Sequence, residues 1–108
     1  MNPWLCLMAA GFFEVGWPLG FKLAQTAPAW RVPAVALSIL SMALSGWLLF
    51  LAQKYIPIGT AYAVWTGIGA AGTFLIGIIF FGDILNWARA LGVMLIVGGV
   101  VTLKTVTP

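Results

Sequence analysis

The sequence predicts an all-α membrane protein with four transmembrane helices per chain. Hydrophobic residues make up 63% of the 108 residues and charged residues only 6%, against roughly 45–50% and about 25% in soluble domains. Four apolar stretches are each close to the roughly 20 residues that cross a bilayer as a helix. The connections between them are too short to fold separately, so we expect residues 1–108 to form one transmembrane domain.

The composition also excludes several functional classes. The chain has one cysteine and no histidine, which argues against a disulfide scaffold and against a histidine-ligated metal centre. The net charge of +3 comes from five basic and two acidic residues, and the scattered basic residues form no stripe that could follow a phosphate backbone. No nucleophile and base are paired as an enzyme would need. We therefore expect no metal, no cofactor, no nucleic-acid partner and no enzymatic activity.

The first span covers residues 3–21 and is interrupted only by Glu14, near its middle. A charged side chain at the bilayer centre costs about 2.5–3.5 kcal/mol even on insertion scales, and such acids usually mark a proton or ion pathway. Glu14 is therefore the candidate site for binding protons or a cation. The alternative is a protonated acid that only packs helices together.

The neighbours of Glu14 on its helical face support a binding role. Spacings of three and four place Gly11, Trp17 and Pro18 on that face. Gly11 leaves space, and Trp17 offers an aromatic surface and an indole N–H donor. Pro18 lacks the N–H that would bond the Glu14 carbonyl, so we expect a bend and a free acceptor there. A kink without function is the alternative.

The second span, residues 32–52, carries Ser38, Ser41 and Ser45 on one face. Serine in a membrane helix often bonds its own helix or a neighbouring one. Structural hydrogen bonding is therefore a strong alternative to a binding role. Of the three, we expect Ser45 to face a site.

The third span, residues 58–81, carries Tyr62, Trp65, Thr66, Gly69 and Thr73 at helical spacing. They are candidates for the wall of a site, although aromatic residues near a span end also form interfacial belts. Gly67 and Gly69 weaken the helix where a hinge is expected.

The fourth span, residues 87–103, is apolar and rich in glycine, including Gly92 and Gly99. Small residues let membrane helices approach closely. We therefore expect this helix to form the contact between subunits.

The charges that flank the spans favour neither orientation. Lys54, Lys104 and the N-terminal amine fall on one side of the membrane, and Lys22, Arg31 and Arg89 fall on the other. Orientation follows an excess of Lys and Arg near the spans, and neither side has an excess. We infer that the chain inserts both ways round, which permits antiparallel dimers. A fixed topology set by another signal is the alternative.

Taken together, these residues resemble the small multidrug resistance family, and within it the guanidinium-exporter subtype. The resemblance rests on four short spans, on Glu14 in the first, and on PIGTAYAVWTGIGAAGT at residues 57–73. Trp17, together with Thr60 and Thr66, looks like the exporter subtype rather than the polyaromatic-drug subtype. The resemblance implies a multi-pass protein of a bacterial inner membrane.

The resemblance further implies an antiparallel, dual-topology homodimer in the lipid bilayer. Two copies of Glu14 would share one aqueous pocket and exchange protons for a small organic cation. The resemblance implies a pocket lining of Gly11, Trp17, Ser45, Tyr62 and Trp65, and a dimer contact of Gly92, Leu95, Ile96 and Gly99. Behind the lining we also expect a supporting layer of Pro18, Ser41 and Thr66. Ser45 and Trp17 would form the hydrogen-bond network that positions the glutamates.

The sequence departs from the subtype at Gly16 and Pro18, which flank Trp17 where the subtype usually has a larger apolar residue and alanine. This departure keeps open an exporter of bulkier quaternary ammonium or aromatic cations. An alternative of another class is a non-transporting membrane assembly or regulatory subunit.

Overall fold

The computed structural model describes residues 2–107, and it is built of four long helices. They are α1 (Pro3–Thr26), α2 (Arg31–Ala52), α3 (Ile58–Phe81) and α4 (Trp87–Val106), with a short 3-10 helix at Pro28–Trp30 between the first two. Each long helix is long and apolar enough to cross a membrane. The all-α fold with four membrane-spanning helices is therefore confirmed.

The ends of the helices follow from local sequence. Asn2 and Asn86 each accept a backbone N–H bond of 2.9 Å through the side-chain oxygen, from Trp4 and Arg89 respectively, and this is how Asn caps a helix start. Gly82 ends α3 with a φ of +68°, in the left-handed region that glycine adopts without strain. α1 continues to Thr26 and α4 to Val106, beyond the predicted spans, whereas α3 has the predicted bounds.

Three buried serines of α2 join it to α1. The hydroxyl of Ser38 donates to the carbonyl of Trp17 at 2.8 Å, and that of Ser45 donates to the carbonyl of Ala10 at 2.7 Å. Ser41 packs against Gly16, where an added methyl group would lie 2.5 Å from its hydroxyl oxygen. Lipid provides no hydrophobic drive between helices, so these bonds and the close approach at glycine hold α1 and α2 together.

α1 lies between α2 and α3, and α4 packs mainly against α3. The buried hydrophobic cluster includes Cys6, Leu7, Ile56 and Val64. In contrast, α4 contributes no buried residue over its Trp87–Val106 length. α4 therefore has a large apolar surface open to lipid or to another chain.

Two helix interiors contain residues at which a bend or a hinge is expected, and both expectations stay predictions. Pro18 lies inside α1, and the helix continues through it to Thr26. α3 is likewise unbroken at Gly67 and Gly69. In both helices the backbone remains helical through the residues that weaken it.

Candidate functional site

A cavity of about 380 Å³ lies between α1 and α3 and contains Glu14. We call it the Glu14 cavity. Its lining comes from one face of each helix: Glu14, Trp17 and Pro18 of α1, and Tyr62, Trp65, Thr66, Gly69, Ala70 and Thr73 of α3. The spacing of three and four in both sets is that of a single helical face, so two facing stripes make the site.

The side chain of Glu14 is half-buried and is held from two sides. The indole N–H of Trp17, one turn along α1, donates a hydrogen bond to its carboxylate. On the other side it meets Gly69, where an added methyl group would lie 2.5 Å from Cγ of Glu14. A bond to a charged group is stronger than a neutral one, so the indole fixes the carboxylate within the cavity.

Two aromatic rings of α3 form one wall of the Glu14 cavity. The ring centroids of Tyr62 and Trp65 are 5.5 Å apart, with an angle of 55° between the planes. The indole of Trp65 donates to the hydroxyl of Ser45 at 2.7 Å, and that hydroxyl donates to the carbonyl of Ala10. This chain of bonds crosses α3, α2 and α1, and it fixes the orientation of Trp65.

The cavity is open on the side of Tyr62. This side chain is 58% exposed, and Thr66, one turn further along α3, is also exposed. The hydroxyl of Thr66 donates to the carbonyl of Tyr62 at 2.7 Å, so its oxygen remains able to accept a bond. A single chain therefore lines the cavity from α1 and α3 and leaves it open on the side of Tyr62.

The residues predicted from the sequence fall into three groups. Glu14, Trp17, Tyr62 and Trp65 lie together in the cavity, as do Pro18 and Thr66, which were expected behind it. Ser45 is fully buried behind Trp65 and does not line the cavity. Gly11 packs against Ile68, and Ser41 packs against Gly16. Ser45 bonds to Trp65, so it lies in a different hydrogen-bond chain from Trp17 and Glu14.

Sequence reasoning missed several contributors to the site. Ala70 lines the cavity, and it extends the α3 stripe by the same helical spacing, so the pattern contained that signal. Thr73, which the sequence placed on that stripe, lines the cavity as well. Ser38, which fixes the backbone of Trp17, was singled out only as a serine on one face. The contact of Gly69 with Glu14 could not be predicted from the sequence of either helix alone, because it depends on how α1 faces α3.

The predicted dimer contact and Gly67, one of the two predicted hinge residues, lie on other surfaces, whereas Gly69 lines the Glu14 cavity. A methyl group added at Gly67 would lie 2.5 Å from Cγ2 of Val100 on α4, and nothing lies within 4 Å of the positions where Gly92 and Gly99 would carry one. Leu95 is 68% exposed and Ile96 is 39% exposed. The dimer contact and the hinge therefore stay predictions.

The described residues offer the chemistry of an organic-cation site. One carboxylate, a phenol and two indoles surround the cavity, and aromatic faces attract cations. Within residues 2–107 there is no group of three or more His, Cys, Asp or Glu that could hold a metal ion. The site therefore combines one negative group with flat apolar walls.

Comparison with known proteins identifies the family. Residues 2–96 match the family of Small Multidrug Resistance proteins. The chain belongs to that family. It is similar to the guanidinium exporter of Yersinia pseudotuberculosis, with 43% identity over 101 residues, which is 94% of this chain and 95% of the relative. The guanidinium exporter of Proteus vulgaris gives the same values.

A guanidinium exporter of Citrobacter freundii is 41% identical over 106 residues, covering 96% of this chain and 97% of the relative. The similarity therefore extends through all four helices. Family membership and the four apolar helices identify a multi-pass protein of the bacterial inner membrane and indicate a transporter rather than an enzyme. The predicted resemblance to this family is confirmed.

Proposed function

We propose that this protein is a proton-coupled antiporter that exports guanidinium and small substituted guanidinium cations. One observation carries the proposal: the carboxylate of Glu14, fixed by the indole of Trp17, lies in a cavity walled by Tyr62 and Trp65. The names of the similar exporters support the substrate class.

The cavity suits a flat cation with several donors. A guanidinium ion is planar and donates two parallel N–H bonds to one carboxylate. Its face also stacks on aromatic rings, and such cation–π contacts contribute about 0.5–2 kcal/mol. Glu14 provides the carboxylate, and the tilted rings of Tyr62 and Trp65 provide the faces. Both types of contact are available at once because all three side chains line the same cavity.

Coupling to protons follows from competition for one group. A proton and a guanidinium ion cannot occupy the same carboxylate oxygens, so each displaces the other from Glu14. If the site opens to one side of the membrane at a time, proton entry drives cation exit. Because Glu14 holds either a proton or a cation, each passage of the site carries one or the other, and the proton gradient drives the cation in the opposite direction.

We further propose that a second, antiparallel copy completes the site. The cavity is open at Tyr62, and α4 has no buried residue in the single chain. A second copy contacting α4 through Gly92 and Gly99 would bring another Glu14 to the open side. In an antiparallel dimer the two open states are structurally equivalent, so exchange between them needs little net energy.

The test is guanidinium uptake into proteoliposomes with an acidic interior. We expect the wild type to accumulate guanidinium and Glu14→Gln to lose accumulation, because Gln keeps the side-chain shape but neither titrates nor carries charge. Lys54→Gln, which removes a charge outside the cavity, is the matched control and should transport as the wild type does. Persistent proton-driven uptake by Glu14→Gln would refute the role of Glu14.

The size of the cavity favours a second candidate, an exporter of bulkier quaternary ammonium or aromatic cations. About 380 Å³ falls within the roughly 300–1,000 Å³ of pockets for drug-sized ligands. A panel that runs from guanidinium to large aromatic cations, tested in the same liposomes, separates the two. Faster uptake of the large cations would favour the second candidate.

A further inference from the structure

A second cavity adjoins the Glu14 cavity near the ends of α1 and α3. It has a volume of about 220 Å³, and its lining includes Lys22 and Asp83. We call it the outer cavity. Pro18 and Thr73 line both cavities, so they form the boundary between the two. Lys22 follows Glu14 by eight residues, which is about 12 Å along a helix at about 1.5 Å per residue.

Asp83 is held in the outer cavity by the end of α3. Gly82 turns the chain with a φ of +68°, and the N–H of Asp83 then donates to the carbonyl of Gly77 at 3.0 Å. The carboxylate lies over Gly77, where an added methyl group would collide with it. The missing side chain at Gly77 and the left-handed turn at Gly82 therefore keep this carboxylate in the cavity.

The two acids of the chain occupy the two adjoining cavities. The sequence contains two Asp and Glu residues in total, and they are Glu14 and Asp83. We propose that Asp83 forms an outer binding site, at which a guanidinium-type cation docks on its way to or from Glu14. This inference rests on the proposed function, since it needs a cation that moves along this path.

Lys22 lines the same cavity and carries a competing positive charge. Its ammonium group is a compact point charge, whereas a guanidinium ion matches both oxygens of a carboxylate. A guanidinium ion therefore binds Asp83 with a geometry that the Lys22 ammonium group cannot match. Lys22 and Asp83 are both exposed, so the effect of either charge on a bound cation is partly screened, and interactions between exposed charges correspond to about a twofold to fivefold change in affinity.

The test compares two charge-removing variants whose expected effects have opposite sign. Initial rates of guanidinium uptake are measured against guanidinium concentration at low ionic strength. Asp83→Asn should raise KM about twofold to fivefold with the maximal rate retained, and Lys22→Gln should lower KM by a similar factor. Both shifts should shrink in molar salt, where the screening length is about 3 Å.

A third variant separates the position of the carboxylate from its charge. Gly77→Ala keeps Asp83 but displaces its carboxylate, and it should raise KM in the same direction as Asp83→Asn. Lys54→Gln, at the opposite end of the bundle, should leave KM unchanged. Misfolding cannot explain a lower KM in Lys22→Gln.

The outcomes distinguish this inference from the function it builds on. If the wild type transports guanidinium but KM is unchanged in Asp83→Asn, the outer site is refuted and the proposed function stands. A KM shift of the same sign in Lys22→Gln and Asp83→Asn would also refute it. If the wild type takes up no guanidinium, both proposals fail together.

Discussion

Replacing Gly20 with alanine tests how closely α1 and α2 must approach. A methyl group at Gly20 would collide with the hydroxyl of Ser38 and would lie 2.7 Å from the carbonyl oxygen of Ala34. The first group can rotate away, but the second belongs to the backbone of α2. The two helices must therefore separate, and the bond from Ser38 to the carbonyl of Trp17 is lost or lengthened.

The size of the effect follows from two contributions. Overpacking of a tightly packed contact costs about 1–3 kcal/mol, and a lost hydrogen bond between membrane helices costs about 0.6 kcal/mol on average. The matched control is Gly46→Ala, because nothing lies within 4 Å of a methyl group there. Alanine raises helix propensity equally in both variants, so the Gly20 variant should be less stable than the control by about 2–4 kcal/mol.

The assay is unfolding by sodium dodecyl sulfate in mixed detergent micelles, followed by circular dichroism. The double variant Gly20→Ala with Ser38→Ala should recover only part of the loss, since the carbonyl of Ala34 still stands in the way. Equal stability of Gly20→Ala and Gly46→Ala would refute the close approach of α1 and α2. Full recovery in the double variant would refute the contact with the backbone.

Three further substitutions test single contacts. Gly69→Ala should weaken guanidinium binding severalfold in an equilibrium binding assay, because its methyl group would displace the side chain of Glu14. Trp17→Phe keeps an aromatic ring but removes the indole donor to Glu14. It should lower guanidinium affinity by about tenfold, which is the effect of losing a hydrogen bond to a charged group. Unchanged affinity would contradict that bond. The ammonium group of Lys104 lies 4.6 Å from the centre of the Trp4 ring. Lys104→Gln should therefore lower the free energy of unfolding in detergent by about 0.5–1 kcal/mol. No change would indicate that this contact contributes nothing to stability.

The features that sequence predicted well belong to single helices. The hydrophobic run of residues 58–81 predicts the bounds of α3 because a membrane span is defined by its own length and composition. The contact of Glu14 with Trp17 is equally local, since residues three apart share a helical face. Neither conclusion requires knowledge of a neighbouring helix.

The features that sequence missed depend on how two helices face each other. Gly69 was singled out for helix flexibility, and its missing side chain also makes room for Glu14. Ser45 was expected to line the pocket, and it instead links Trp65 to the carbonyl of Ala10. Helical spacing identifies the face of a residue but not the depth and rotation at which a second helix meets it.

The hydrogen bonds between helices indicate where the site can change shape. α1 and α2 are joined by two hydroxyl–carbonyl bonds, from Ser38 to Trp17 and from Ser45 to Ala10. Within residues 2–107, α3 is linked to the other helices by one side-chain bond, from Trp65 to Ser45. Because Glu14 lies on the doubly bonded pair, we expect adjustment to a bound cation to occur on α3. Trp65 both holds α3 in place and lines the cavity, so occupancy of the cavity and the position of α3 are linked through one side chain.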